Sequence, residues 1–147
     1  MDLGNKVEAN GVLPGKKIVK TIQVTGEGNE TSIPATVNIV LMPDVTYFSE
    51  HVKYSIYEMD TKNAINAESI CSESREVTTG GAYYDAMECN TTPLGNPIIE
   101  GIFVGTTNVS KEIEVTYNTD KTYYVLIEYI NDEEKSQNEE IGKYFEV

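Results

Sequence analysis

Apolar residues recur at every second position through most of the chain, the spacing of strands with one buried and one solvated face. Over 16–25, Ile18, Ile22 and Val24 fall on one side and Lys17, Thr21 and Gln23 on the other, with Pro14-Gly15 before the run and Gly26-Glu27-Gly28-Asn29 after it. Over 35–41, Ala35, Val37, Ile39 and Leu41 alternate with Thr36, Asn38 and Val40, bracketed by Pro34 and Pro43. Val52, Tyr54 and Ile56 predict a strand over 52–57, and 98–104 resumes the pattern further on. Ile113, Val115 and Tyr117 alternate with Glu112, Glu114 and Thr116, a one-sided strand. Asn118-Thr119-Asp120-Lys121 then predicts a hairpin-length turn into 122–130. That last run is apolar on both faces, with Tyr123, Val125, Ile127 and Tyr129 on one and Tyr124, Leu126 and Ile130 on the other, so it is expected in the middle of its sheet. Ile141, Phe145 and Val147 supply a closing strand. No stretch carries the period of an amphipathic helix.

Between 60 and 97 the alternation fades into Ser, Thr, Glu, Asn and Gly. This stretch reads as an irregular excursion between strands, with a short hairpin around Gly80-Gly81. It holds both cysteines, Cys71 and Cys89, which read as a disulfide staple, the alternative being two unpaired, partly buried thiols. Closing that loop contributes about 3 kcal/mol on a chain-entropy account. The expected fold is all-β, a single domain over 1–147 with an N-terminal arm at 1–13. Its architecture is a two-sheet antiparallel β-sandwich, Ig-like or jelly-roll-like. The chain has no Trp and its two Cys lie close together in sequence, which argues against an antibody-type immunoglobulin domain.

The balance of 24 Asp+Glu against 11 Lys+Arg, a net charge of −13, argues against a nucleic-acid partner, because phosphate contacts need clustered cations. Ten Tyr and three Phe spread along the chain argue against disorder. No apolar run, that at 39–42 included, approaches the ~18 residues of a membrane span. Residues 1–6 lack the basic and apolar regions of a secretory leader, leaving a cytoplasmic chain or a secreted segment whose leader has been removed. The even Cys pair, the abundant Tyr, Thr and Asn and the low Lys+Arg favour a secreted or cell-surface location.

Candidate chemistry is sparse. The single imidazole, His51, lies in Phe48-Ser49-Glu50-His51 and reads as a solvated loop residue. One histidine rules out a two-histidine zinc site, and neither a nucleophilic triad nor a phosphate-binding loop is evident. Asp132, Glu133, Glu134, Glu139 and Glu140 are candidate calcium ligands by donor type, though their spacing matches no EF-hand and also suits a charged, solvated loop. Tyr47, Tyr83 and Tyr84 are candidate stacking faces for a ligand. No cofactor and no enzymatic activity are expected. Residues 1–20 carry a net +2 (four Lys, two acids) and 128–147 a net −5 (two Lys, seven acids), which suits either head-to-tail association or pairing within one molecule. The alternating segment 3–12 could add to a neighbour's sheet edge or pair locally.

Several stretches together resemble the TasA/camelysin-type secreted β-sandwich proteins of Gram-positive bacteria. They are Val12-Leu13-Pro14-Gly15 followed by Lys20-Thr21-Ile22-Gln23-Val24-Thr25-Gly26, then Val52-Lys53-Tyr54-Ser55-Ile56-Tyr57, then Tyr123-Tyr124-Val125-Leu126-Ile127-Glu128-Tyr129 with Gln137-Asn138 and Gly142-Lys143-Tyr144-Phe145. The resemblance covers about half the chain. It implies export, display at a cell surface or in a biofilm matrix, and polymerisation by strand donation from the N-terminus. Some members are described as metallopeptidases, a role from which a chain with His51 alone departs. The expected function is that of a non-enzymatic extracellular structural or adhesive protein, with copies of itself, another surface protein or a glycan as partner. The alternative is a carbohydrate- or protein-binding module that uses 60–97.

Overall fold

The computed structural model describes residues 8–10, 14–15, 17–48, 50–63, 75–79, 82–89, 95–134, 136–140 and 143–147. Among the described residues ten strands follow one another: β1 (Glu8–Asn10), β2 (Lys17–Thr25), β3 (Ala35–Leu41), β4 (Val52–Asp60), β5 (Arg75–Thr79), β6 (Ala82–Cys89), β7 (Ile99–Ile102), β8 (Val109–Val115), β9 (Asp120–Tyr129) and β10 (Tyr144–Glu146). Single 3₁₀ turns occupy Thr61–Asn63 and Asn138–Glu140. The fold is an all-β sandwich of antiparallel strands.

One layer is a six-stranded sheet in the order β5-β6-β2-β9-β4-β7. β9 lies at its heart, laddered to β2 from Lys17↔Glu128 to Thr25↔Asp120 and to β4 from Val52↔Tyr129 to Asp60↔Lys121. The reason is in its composition, because 122–127 carries no charge and is apolar or hydroxylated on both faces. The other layer is the β3-β8 ribbon, registered from Ala35↔Val115 to Leu41↔Val109. Past its end, Asp44 bridges to Glu146, with main-chain hydrogen bonds of 2.8 and 3.2 Å, and so joins the ribbon to the β1-β10 pair.

The core lies between the layers. Ile39, Leu41 and Ile113 of the ribbon meet Ile18, Val52, Ile56, Tyr123, Val125, Ile127 and Tyr129, and Val45, Phe48, Phe103 and Phe145 close the ends. Burying each such side chain stabilises by about 1.5–3 kcal/mol. Val19, Ser55, Tyr57, Tyr124 and Leu126 are buried on the opposite face of the six-stranded sheet, as the two-sided pattern of β9 requires.

Three features differ from the sequence reading. The turn after β8 is tight, with Thr119 N donating to Thr116 O at 3.0 Å, but it is a corner between layers rather than a hairpin. Both edges of β9 are occupied by β2 and β4, so β8 pairs with β3 instead. The 60–97 stretch does contain the hairpin around Gly80-Gly81, as β5-β6, yet it extends the sheet, since Lys17↔Cys89, Ile18↔Glu88 and Val19↔Met87 pair β6 to β2. In the arm, Glu8–Asn10 pairs with β10 of its own chain. Cys71 lies outside the described residues, as does the side chain of Cys89, and so does the staple expected between them. Among the described residues no helix is long and apolar enough to cross a membrane.

Gly26 ends β2 directly under the corner, donating its N–H to Thr119 O at 2.8 Å. A Cβ at this position would overlap the Thr116 carbonyl, which is backbone and cannot swing aside. Gly26→Ala is expected to cost about 1–3 kcal/mol, the range of an overpacked site. Urea titration of the two proteins measures it.

Candidate functional site

The turn 45–51 delivers the main-chain geometry of the site. Asp44 Oδ1 accepts from Thr46 Oγ1 at 2.8 Å, Phe48 N donates to Val45 O at 2.8 Å, and His51 N donates to Phe48 O at 3.2 Å. Glu50 takes a φ of 61°, the left-handed region that side chains larger than Gly seldom adopt, immediately before His51. Phe48 and Val52, both buried, flank the histidine and carry it inward. His51 is therefore 8% exposed, and the expectation of a solvated loop histidine is overturned.

Its ring stands between two carboxylates. Nδ1 is 2.5 Å from Glu140 Oε1 and Nε2 is 3.1 Å from Asp132 Oδ2. The second oxygen of Glu140 accepts from the Tyr129 hydroxyl at 2.6 Å and from Gln137 Nε2 at 3.2 Å. Gln137 Nε2 also donates to Ile130 O at 2.8 Å, while its Oε1 accepts from Asp132 N at 2.9 Å. Above this network, Phe48, Tyr129 and Phe145 pack edge to face, with centroids 5.1 to 6.4 Å apart. The assembly clamps the start of β4, the end of β9 and the segment leading to β10.

Carboxylates only accept, so both ring nitrogens are satisfied only when His51 carries both protons. Burial works against that charge, but the hydrogen bonds and charges of Glu140 and then Asp132 outweigh it and raise the His51 pKa above the ordinary 6.5. The Tyr129 hydroxyl is also pushed up, by burial first and by Glu140 next. A folded pKa above the unfolded one means that the clamp contributes fully below pH 6.5 and is lost as pH rises through the folded value. Each unit of that difference is worth about 1.4 kcal/mol. Stability from urea titrations between about pH 6 and pH 9 is expected to fall with pH, and His51→Gln is expected to remove most of that slope.

The candidate calcium ligands are not brought together. Glu140 and Asp132 face opposite edges of the imidazole, Asp132 Oδ1 also accepts from Glu134 N at 2.9 Å, and Glu133, Glu134 and Glu139 are exposed. Among the described residues no group of three or more His, Cys, Asp or Glu could hold a metal ion. Tyr47 is exposed, with Lys143 Nζ 4.9 Å over its ring, so one stacking face carries a cation already. Tyr83 and Tyr84 lie on β6, and their side chains fall outside the described residues. The opposite charges of the two chain ends meet within the molecule at Lys17–Glu128, 3.7 Å apart.

A cleft of about 360 Å³ opens between β8 and the β4-β9 face, lined among others by Glu58, Lys111, Glu112, Glu114, Lys121 and Tyr123. Glu58 is held by the Tyr123 hydroxyl at 3.1 Å and lies 3.8 Å from Lys121, which also binds Asp60 at 2.6 Å. Burial and then Glu58 push the Tyr123 hydroxyl up, so it stays protonated and donates. On the β4-β9 side of the cleft, Glu58, Tyr123 and Lys121 thus bind one another. No family model, curated protein or solved structure matches this chain.

Proposed function

We propose that the chain is a structural or adhesive β-sandwich of a bacterial cell surface or matrix, acting by contact with copies of itself or other macromolecules rather than by turnover of a substrate. The observation that carries this reading is a set of apolar side chains along and beside β3, Ile33, Val37, Val40 and Met42, all exposed in a chain of net charge −13. The polar groups that converge elsewhere support it. His51, Asp132, Glu140, Tyr129 and Gln137 spend their hydrogen bonds on one another, which suits a rigid scaffold. The resemblance carried by 12–26, 52–57 and 123–129 supports export. The arm offers a route to assembly, because β1 of one copy laid on β10 of the next, in the register it holds within the chain, would link copies head to tail.

Fractionation of the source cells tests this reading. The chain is expected in the medium or the cell-surface fraction, with Cys71 and Cys89 joined when the protein is mapped by mass spectrometry without reduction. A chain confined to the cytoplasm with both thiols free would contradict it.

A further inference from the structure

The edge of β3 carries an inference that rests on the proposed structural role and gives it a partner and a geometry. β3 pairs with β8 on one side only, and among the described residues its other edge has no strand beside it along 35–41. Natural sheets blunt such edges with charge, bulges or short strands. β3 is seven residues long and keeps an unbroken register with β8. It is also the one described strand without a charged residue, within a stretch, 31–43, that has none. The other outer strands all carry charge: Glu8 on β1, Arg75 and Glu76 on β5, Glu100 on β7, and Lys111, Glu112 and Glu114 on β8.

We infer that β3 is a self-pairing edge, joining two copies of the chain by antiparallel addition about a two-fold axis at Asn38. The strand is near-palindromic in side-chain type. About that axis Thr36 faces Val40 of the second copy, Val37 faces Ile39, Ala35 faces Leu41 and Asn38 faces itself. Thr36 against Val40 and Val37 against Ile39 thus set β-branched residues opposite one another. The row on the core side explains an exposure that the monomer leaves unaccounted for. Val37 lies in line with Ile39 and Leu41, which are 7% exposed each, yet it is 39% exposed itself. In the pair it comes against Ile39 of the second copy, and the core row runs on across the axis. Charge selects this partner too. Two molecules of −13 repel, and β3 is the one described strand that brings no charge of its own to such a contact. Seven residues a side bury less than the ~1,200 Å² of a stable interface, so the pair is weak, and salt strengthens it by screening the mutual repulsion.

Backbone amide NMR spectra of the full chain, recorded in reductant over a dilution series, test the inference. The expected result is concentration-dependent shifts and broadening at 35–41 that grow with salt. Asn38→Lys places two ammonium groups opposite each other at the axis and is expected to weaken the pair about tenfold or more. It keeps the fold, because Asn38 is exposed and faces Glu112 across the ribbon. Val40→Lys, at another exposed position on β3, is expected to act in the same direction, and unchanged β9 amides report that either variant is folded. Spectra independent of concentration, or shifts that persist in both variants, would overturn the inference. Shifts confined to 8–10 and 144–146 would overturn it while leaving assembly through the arm, and hence the proposed function, standing.

Discussion

Glu140→Ala is expected to destabilise the protein by about 3–5 kcal/mol, the cost of leaving one member of a buried charge pair without its partner. The carboxylate is 7% exposed and receives His51, Tyr129 and Gln137 together. Removing it leaves the Nδ1–H of His51 and the Tyr129 hydroxyl buried without their acceptor, and the imidazole with Asp132 as its remaining carboxylate, while Gln137 keeps Ile130 O. At this chain length the loss corresponds to a fall in Tm of roughly 10–15 °C. Glu139→Ala changes the neighbouring exposed carboxylate and is expected to stay within about 0.5 kcal/mol. Thermal unfolding of the two variants side by side measures the contrast. Equal effects would mean that the network between His51 and Glu140 contributes no more than surface charge.

Leu126→Ala is the second large effect, at about 2–5 kcal/mol. Leu126 is fully buried on the face of β9 turned away from the interlayer core, between Val19 of β2 and Ser55 of β4. Val19 and Ser55 are held by their own ladders and cannot collapse into the space, so the cavity term adds to the lost transfer energy. Val40→Ala removes a comparable apolar group from an exposed site and is expected to cost less than about 1 kcal/mol. Urea midpoints of the pair provide the check.

The strands were legible because period two survives in the sequence wherever one face is buried. β3 falls on 35–41 as its Pro34 and Pro43 brackets predict, and the central place of β9 follows from its two apolar faces. Which strands share a sheet was less legible. The turn at 118–121 has the length of a hairpin, and only the prior occupation of both edges of β9 makes it a corner. β6 reads as irregular because Asp85 and Glu88 interrupt its apolar positions, yet backbone pairing to β2 asks nothing of side-chain pattern. The His51 clamp was hidden for a different reason. Its partners lie 81 and 89 residues away, and a buried ion network has no local period. The available signal was the pair Phe48 and Val52 around a lone histidine in a chain with many acids. The candidate calcium cluster failed to form because neighbours in sequence at a loop diverge in space, so Glu140 turns in while Glu133, Glu134 and Glu139 face solvent.

The central claim is association between copies through strand edges, and light scattering after size exclusion tests it most directly. The chain is run in reductant over a concentration series, intact and with residues 1–12 removed. The intact chain is expected to show a mass that rises with concentration above the 16.3 kDa of one copy. With 1–12 removed, the larger assemblies are expected to disappear and a weak two-copy species to remain. A mass of one copy at every concentration for both proteins would contradict the account.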